Sequence, residues 1–269
     1  SVSPVRSFEW YVKRQTSRVL FLNDYFGPNS AEVERLHRSL LAQNGITVAD
    51  YFNISDGLAT GGRRVALTRA FPNRNLAAPT INLMLAQWDY IYWVSDDLDR
   101  NIGYAIELTI DFFARGGRMF VNIPSKNIAA DTPVAEFLPI ERVETLPAGQ
   151  QSFIIRTNAV VTAADPSVQL PYLRFRRNLL GAYPLVPFSE TVSIFEAPFE
   201  TRNARGIISA FPGAQLISAS SPSGNLLYFG IDITEFDPEP RLVGGNELPA
   251  SNLSELIRIT VIDILRFAQ

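Results

Sequence analysis

Apolar positions fall into two styles along this chain. Up to Pro124 they form uncharged runs and helically spaced stripes. After it they form short β-like runs broken by proline and glycine. The clearest stretch is Trp88 to Pro124, WDYIYWVSDDLDRNIGYAIELTIDFFARGGRMFVNIP. Tyr90-Ile91-Tyr92-Trp93-Val94 is aromatic and β-branched without a charge, the composition of a strand covered on both faces. Ser95-Asp96-Asp97 ends it, and Asp97, Asp99 or Asn101 offers the cap and acidic first turn of a following helix. Ile102, Ala105, Ile106, Ile110 and Phe113 mark one face of that helix, with Tyr104, Leu108 and Phe112 as a second apolar row. Gly116-Gly117 provides a left-handed stop. Arg118 to Ile123 is the next strand, closed by Pro124. Strand, helix and strand in this order predict a right-handed parallel βαβ unit.

The same patterning extends in both directions. Residues 1–17, with Phe8, Trp10, Tyr11 and Val12 among polar neighbours, read as an arm or edge strand. Arg18 to Leu22 reads as a short buried strand with Asn23-Asp24-Tyr25 at its end. Asn29 and Glu32 fit a capping box for a helix carrying Val33, Leu36, Leu40 and Leu41, with Gly45 after it. A second strand is expected near Val48–Ile54, a Gly/Arg-rich loop at residues 56–64, and a short helix from Pro79 to Gln87. Later β runs lie near Phe153–Arg156, Val192–Phe195, Ile207–Phe211, Leu216–Ala219 and Leu226–Ile231, the last two joined by a Pro222-Ser223-Gly224 turn. Asn252 and Glu255 open a final helix with Leu253, Leu256, Ile257, Thr260, Val261, Ile264 and Leu265 at helical spacing. The late strands and this helix are expected to join the first sheet, making residues 18–269 a single α/β domain.

Composition narrows the chemistry. The chain has 269 residues, 46% of them hydrophobic, ample for a sizeable core. A net charge of −3 without a long charged run gives no electrostatic case for nucleic acid. No run is long enough to span a bilayer as a helix. There is no cysteine, which excludes disulfides, thiolate metal sites and cysteine nucleophiles. With Ser1 rather than Met at its start, the chain is read as a mature or excised fragment. His37, the only histidine, is expected at a helix surface or boundary, away from the loops, so no Ser-His-Asp arrangement is in view. Arg174, Arg176 and Arg177 around Phe175 are expected on a solvated strand face. Gly61-Gly62 and Gly116-Gly117 lack the spacing of phosphate cradles.

A parallel sheet brings the loops at its carboxyl ends to one edge, where ligands of open α/β sheets bind. That makes Asn23, Asp24, Tyr25, Ser95, Asp96, Asp97, Ser125 and Lys126 a candidate crevice. Two chemistries are open. The aspartates suit a hard cation such as Mg²⁺, with Ser125 and Lys126 on a phosphate, as a metal-assisted hydrolase or phosphoryl-transfer enzyme requires. The same residues are also ordinary turn formers and helix caps. Three carboxylates against one lysine favour a cation or a polyhydroxy ligand over a bare anion.

The order VLFLNDY, helix, DYIYWVSDD, a helix ending FFARGGRMFVNIP, and a late YFGIDI hairpin resembles the class I glutamine amidotransferase-like superfamily over residues 18–125 and 214–269. It is most similar to the degenerate branch that includes ThuA-like domains and the trimerisation domain of some β-galactosidases. The resemblance implies a flavodoxin-like fold, a mostly parallel sheet flanked by helices with additional antiparallel strands in the C-terminal half. Active members carry a cysteine, flanked by glycines, on the elbow after the strand that Arg118–Ile123 matches. Here the elbow reads Asn122-Ile123-Pro124-Ser125-Lys126, and no histidine lies near the C-terminus. The expectation is therefore no glutaminase activity, no cofactor, and a non-catalytic ligand-binding or interaction module. Its partner would be a protein or a carbohydrate, and the chain part of a larger exported or surface protein, extracellular or periplasmic.

Overall fold

A computed structural model describes residues 13–25, 29–53, 83–96, 102, 111–126 and 137–267. The strands are β1 Val19–Asp24, β2 Asp50–Asn53, β3 Tyr90–Ser95, β4 Arg118–Asn122, β5 Arg142–Val143, β6 Gln150–Ile155, β7 Thr162–Ala163 and β8 Leu179–Leu180. They continue with β9 Leu185–Val186, β10 Val192–Glu196, β11 Phe199–Asn203, β12 Ile208–Ala210, β13 Leu216–Ser220, β14 Leu226–Phe229, β15 Arg241–Val243 and β16 Asn246–Leu248. Helix α1 spans Ser30–Gln43, and α2 spans Leu253–Ile257 and runs on as a π-helix over Arg258–Ile264.

The uncharged runs form the centre of a mixed α/β structure. Its main sheet has the order β2-β1-β3-β4-β14-β13-β10-β7. Strands β2, β1, β3, β4 and β14 are mutually parallel, and β13, β10 and β7 continue the sheet antiparallel. Side chains alternate across it with period two. Val19, Phe21, Tyr90, Tyr92, Phe120 and Phe229 enter one core with Val33, Leu40 and Leu41 of α1 and Leu256 and Ile257 of α2. Leu20, Leu22, Ile91, Trp93, Met119, Val121 and Tyr228 enter the other with Trp88, Phe112 and Phe137. Tyr90–Val94 is thus buried on both faces, as its composition predicts. The turn at residues 222–224 joins β13 to β14 in an antiparallel pair.

The late strands divide. Those of β10, β13 and β14 join the main sheet as expected, but β6 and β12 do not. They form a separate antiparallel sheet, β12-β11-β6-β8. Its Phe153, Ile155 and Phe199 pack into the same core as α1. Strand β11 has no counterpart among the expected runs. Its Glu200 and Arg202 point outward while Phe199 and Thr201 are buried, so its alternation is diluted by charge.

The helices carry three further differences. His37 is fully buried, not at a boundary. It shares the stripe of Val33, Leu40 and Leu41, and four residues separate it from both Val33 and Leu41, so helical geometry puts it inside. Asn29 makes no side-chain capping hydrogen bond, whereas Asn252 accepts from Glu255 N–H at 3.0 Å as a capping box requires. Glu255 completes no box and holds Arg258 instead. The widening of α2 into a π-helix shifts its register, so Ile259 is buried and Ile264 only partly so.

Gly116 ends a single 3₁₀ turn with φ +83°. A Cβ at Gly117 would lie 2.6 Å from the Phe112 ring. The double glycine therefore serves both handedness and close approach. The expected helix face at Ala105, Ile106 and Ile110, the first part of the N-terminal arm, and the Gly61-Gly62 loop lie outside the described residues. Thr16 and Ser17, at the arm's end, bind the Asp50 carboxylate. No helix among the described residues is long and apolar enough to cross a membrane.

Candidate functional site

The parallel strands β1, β3, β4 and β14 end at one edge, and the loops that follow them meet there. Tyr25 follows β1, Asp96 follows β3, Ser125 and Lys126 follow β4, and Asp232 follows β14. All five line a cavity of about 300 Å³, together with Glu235 and the Leu179–Ala182 segment. A second cavity of about 400 Å³ shares Tyr25, Asp232 and Glu235, and is lined further by Asn29 and Glu32 of the α1 start and by Arg176 and Arg177.

The remaining sequence candidates are placed differently. Asn23 is fully buried. Its amide donates to Ser30 Oγ at 3.3 Å and to the Tyr51 hydroxyl at 3.1 Å, while its Oδ1 accepts Tyr25 N–H at 3.1 Å. It shapes the turn after β1 rather than lining the cavity. Asp24 is fully buried and lines neither cavity. Ser95 is buried and donates its hydroxyl to Asp24 O at 3.3 Å. Asp97 lies outside the described residues. Ser125 donates its hydroxyl to Tyr183 O at 2.7 Å and accepts Tyr183 N–H at 3.0 Å. That two-way clasp ties the β4 loop to the segment before β9.

Asn122 positions the side of the site that sequence reasoning missed. Its amide donates to Phe229 O at 3.1 Å and Ile231 O at 2.6 Å, and its Oδ1 accepts Ile233 N–H at 3.4 Å. Ser125 N–H adds a bond to Gly230 O at 2.7 Å. A Cβ at Gly230 would stand 3.3 Å from both Ile217 O and the Ser125 Cβ, so the backbone there passes through a gap sized for glycine. These contacts set Asp232 against the cavity.

Asp232 accepts from Thr234 N–H at 2.8 Å and so caps the turn Ile233–Glu235. Its carboxyl group is deeply set although the residue keeps some surface. Desolvation pushes its pKa up to about 6, against the Thr234 hydrogen bond and with help from the nearby Glu235 charge. Glu235 is buried and receives Arg177 on both oxygens. Tyr25 is only 8% exposed, and its hydroxyl has no hydrogen-bond partner among the described residues. A buried hydroxyl of this kind costs free energy that a ligand oxygen would recover.

The expected solvated arginine face holds for Arg176 and Arg177, which are exposed, and is corrected for Arg174. Arg174 is fully buried, paired with Asp237 at 2.8 Å and donating to Asn158 Oδ1 at 3.0 Å and Glu239 O at 2.8 Å. A guanidinium tolerates such burial only when its donors are matched, as here. Arg176 and Arg177 are both exposed beside the second cavity, Arg177 bound to Glu235 at 2.5 Å and Arg176 4.0 Å from it. His37 places Nδ1 2.7 Å from the Tyr92 hydroxyl. Desolvation lowers its pKa to about 3, so it is a neutral core residue far from proton-transfer duty at ordinary pH. Among the described residues, no three His, Asp or Glu side chains are grouped to hold a metal ion.

Comparison with known proteins adds no name to this geometry: no family model, no curated protein and no solved structure matches the chain.

Proposed function

We propose that this chain is a non-catalytic ligand-binding module built on a flavodoxin-like sheet, and that its ligand is a small polyhydroxy molecule. The observation that carries the reading is the convergence of Tyr25, Asp96, Lys126 and Asp232 around one cavity at the carboxyl edge of the sheet. The parallel strand order β2-β1-β3-β4-β14 follows the second-first-third-fourth-fifth order of flavodoxin-like sheets. Those sheets bind ligands beyond the carboxyl ends of the first and third strands, where Tyr25 and Asp96 lie. The amidotransferase-like resemblance is compatible with that order.

Carboxylates and a buried phenol are acceptors and donors for hydroxyl groups, and two aspartates with one lysine repel a bare anion. The candidate nucleophile and base are otherwise engaged, since Ser125 donates its hydroxyl hydrogen bond to Tyr183 O and His37 is in the core. Calorimetric titration with neutral sugars, Mg²⁺ and Ca²⁺ on wild type and an Asp96→Asn, Asp232→Asn double variant tests the reading. Sugar binding weakened about tenfold or more in the double variant is expected, the scale of losing hydrogen bonds to charged groups. Equal binding by both proteins would put the site elsewhere.

A further inference from the structure

The second cavity differs in charge from the first. Arg177 spends its guanidinium on both oxygens of Glu235. Arg176 stands 4.0 Å from the same carboxylate, with its side chain 41% exposed, beyond hydrogen-bond reach. Glu235 is thus matched by one arginine and offset only partly by the other. Helix α1 starts at the same place, and Asn29 lines the cavity there without capping it. The positive end of a 14-residue helix therefore lacks its usual side-chain acceptor. Tyr25 joins the two cavities, with its buried hydroxyl unpartnered among the described residues. Glu32 lies in the same half and weakens its pull on anions, so a single negative charge suits it better than a phosphate dianion.

We infer that the two cavities are halves of one site for a carboxylated polyhydroxy molecule, a sugar acid, with its carboxylate beside Arg176 and the start of α1 and its hydroxyls toward Asp96 and Asp232. This rests on the ligand-binding reading above and narrows it. A neutral sugar leaves Arg176 with only its long pairing to Glu235, and a bare anion meets the aspartates with nothing to offer them. A sugar acid answers both halves, and an arginine can take its carboxylate with two parallel N–H groups.

Calorimetry on the full chain with glucuronate, glucose and inorganic phosphate as probes tests this, in wild type, Arg176→Gln and Asp232→Asn. Glucuronate is expected to bind about tenfold or more tighter than glucose or phosphate, the worth of one charge-assisted contact. Arg176→Gln should weaken glucuronate about tenfold or more, to the level of glucose, and so erase that preference, and Asp232→Asn should weaken both sugars. Glucose and glucuronate binding equally in wild type, or a preference that survives Arg176→Gln, would overturn the sugar-acid assignment and leave the broader reading intact. Sugars unaffected by Asp232→Asn would overturn the placement of the hydroxyls. Binding of neither sugar would overturn the inference and the ligand-binding reading together.

Discussion

The two ends of the parallel sheet treat a buried carboxylate in opposite ways. At the amino end, Asp50 opens β2 and accepts from Thr16 N–H at 2.7 Å, Ser17 N–H at 2.9 Å, the Trp88 indole at 2.8 Å and the Thr16 hydroxyl. Burial raises its pKa, but these donors outweigh burial and hold it at about 2. At the carboxyl end, Asp232 has one backbone donor, from Thr234, so desolvation wins and its pKa sits at about 6. One end is saturated and fastens the chain. The other leaves an under-served carboxyl and a Tyr25 hydroxyl without a partner among the described residues, both lining one cavity.

The largest test of this contrast is to unfasten the saturated end. Asp50→Ala strands the buried Trp88 indole and removes the acceptor of Thr16 and Ser17, and is expected to cost about 3 kcal/mol, read by urea unfolding at pH 7. A loss under about 1 kcal/mol would mean that water replaces the carboxylate and the end is not closed. The Asp50 contribution has a defined pH window. Its folded pKa is depressed, so the stabilisation is present above about pH 4 and is lost as pH falls toward 2.

The next effect belongs to Asp232, with the opposite sign. Its folded pKa is raised, so the native state holds the proton more tightly than the unfolded chain does. That contribution favours folding at low pH and disappears as pH rises from about 4 through 6. Asp232→Asn should stabilise the protein at pH 7 by about 2 kcal/mol. His37 runs against it. A histidine lowered to about 3 resists protonation in the fold, so its contribution is lost as pH falls below about 6.5. Between pH 6 and 4 the two slopes oppose each other. Removing Asp232 should expose a fall of about 1 kcal/mol per pH unit from His37, measurable as unfolding midpoints across that range. A flat profile in Asp232→Asn would show that the buried histidine does not control acid stability.

The smallest effect sharpens the comparison most. Tyr25→Phe removes a hydroxyl that has no partner among the described residues, so stability should stay level or rise by up to about 1 kcal/mol. Sugar affinity should fall in the same variant. A loss of stability without a change in binding would make Tyr25 a core residue only.

What was legible in the sequence follows from how charge is distributed. Strands β1, β3 and β4 are uncharged apart from their ends, and their parallel pairing and two-sided burial could be read directly. The crevice residues Tyr25, Asp96, Ser125 and Lys126 followed from that geometry. Asp232 and Glu235 did not, because the turn at residues 222–224 marks β14 only as half of a hairpin. It is that, but it also lies parallel to β4, which brings its following loop to the same edge. The signal is present in the sequence: Ile231-Asp232-Ile233 places an aspartate just beyond an apolar strand, as Val94-Ser95-Asp96 does for β3. Residue type points His37 and Arg174 outward, although one lies on an apolar helical stripe and the other finds its carboxylate at Asp237, far along the chain. Pairings of that range leave no local mark.

The parallel pairing of β4 with β14 also sets a timetable. Val121 pairs with Tyr228 and Asn122 with Phe229, so the central strand of the sheet meets its neighbour only after roughly a hundred further residues have left the ribosome, some 5–20 s at usual synthesis speeds. Until then one edge of β4 offers its N–H and C=O groups to any strand nearby. The nascent chain therefore passes through a stage with an open, apolar β edge at its heart. Holding that edge apart from other chains is the task this topology hands to the cell before the cavity at the carboxyl edge exists at all.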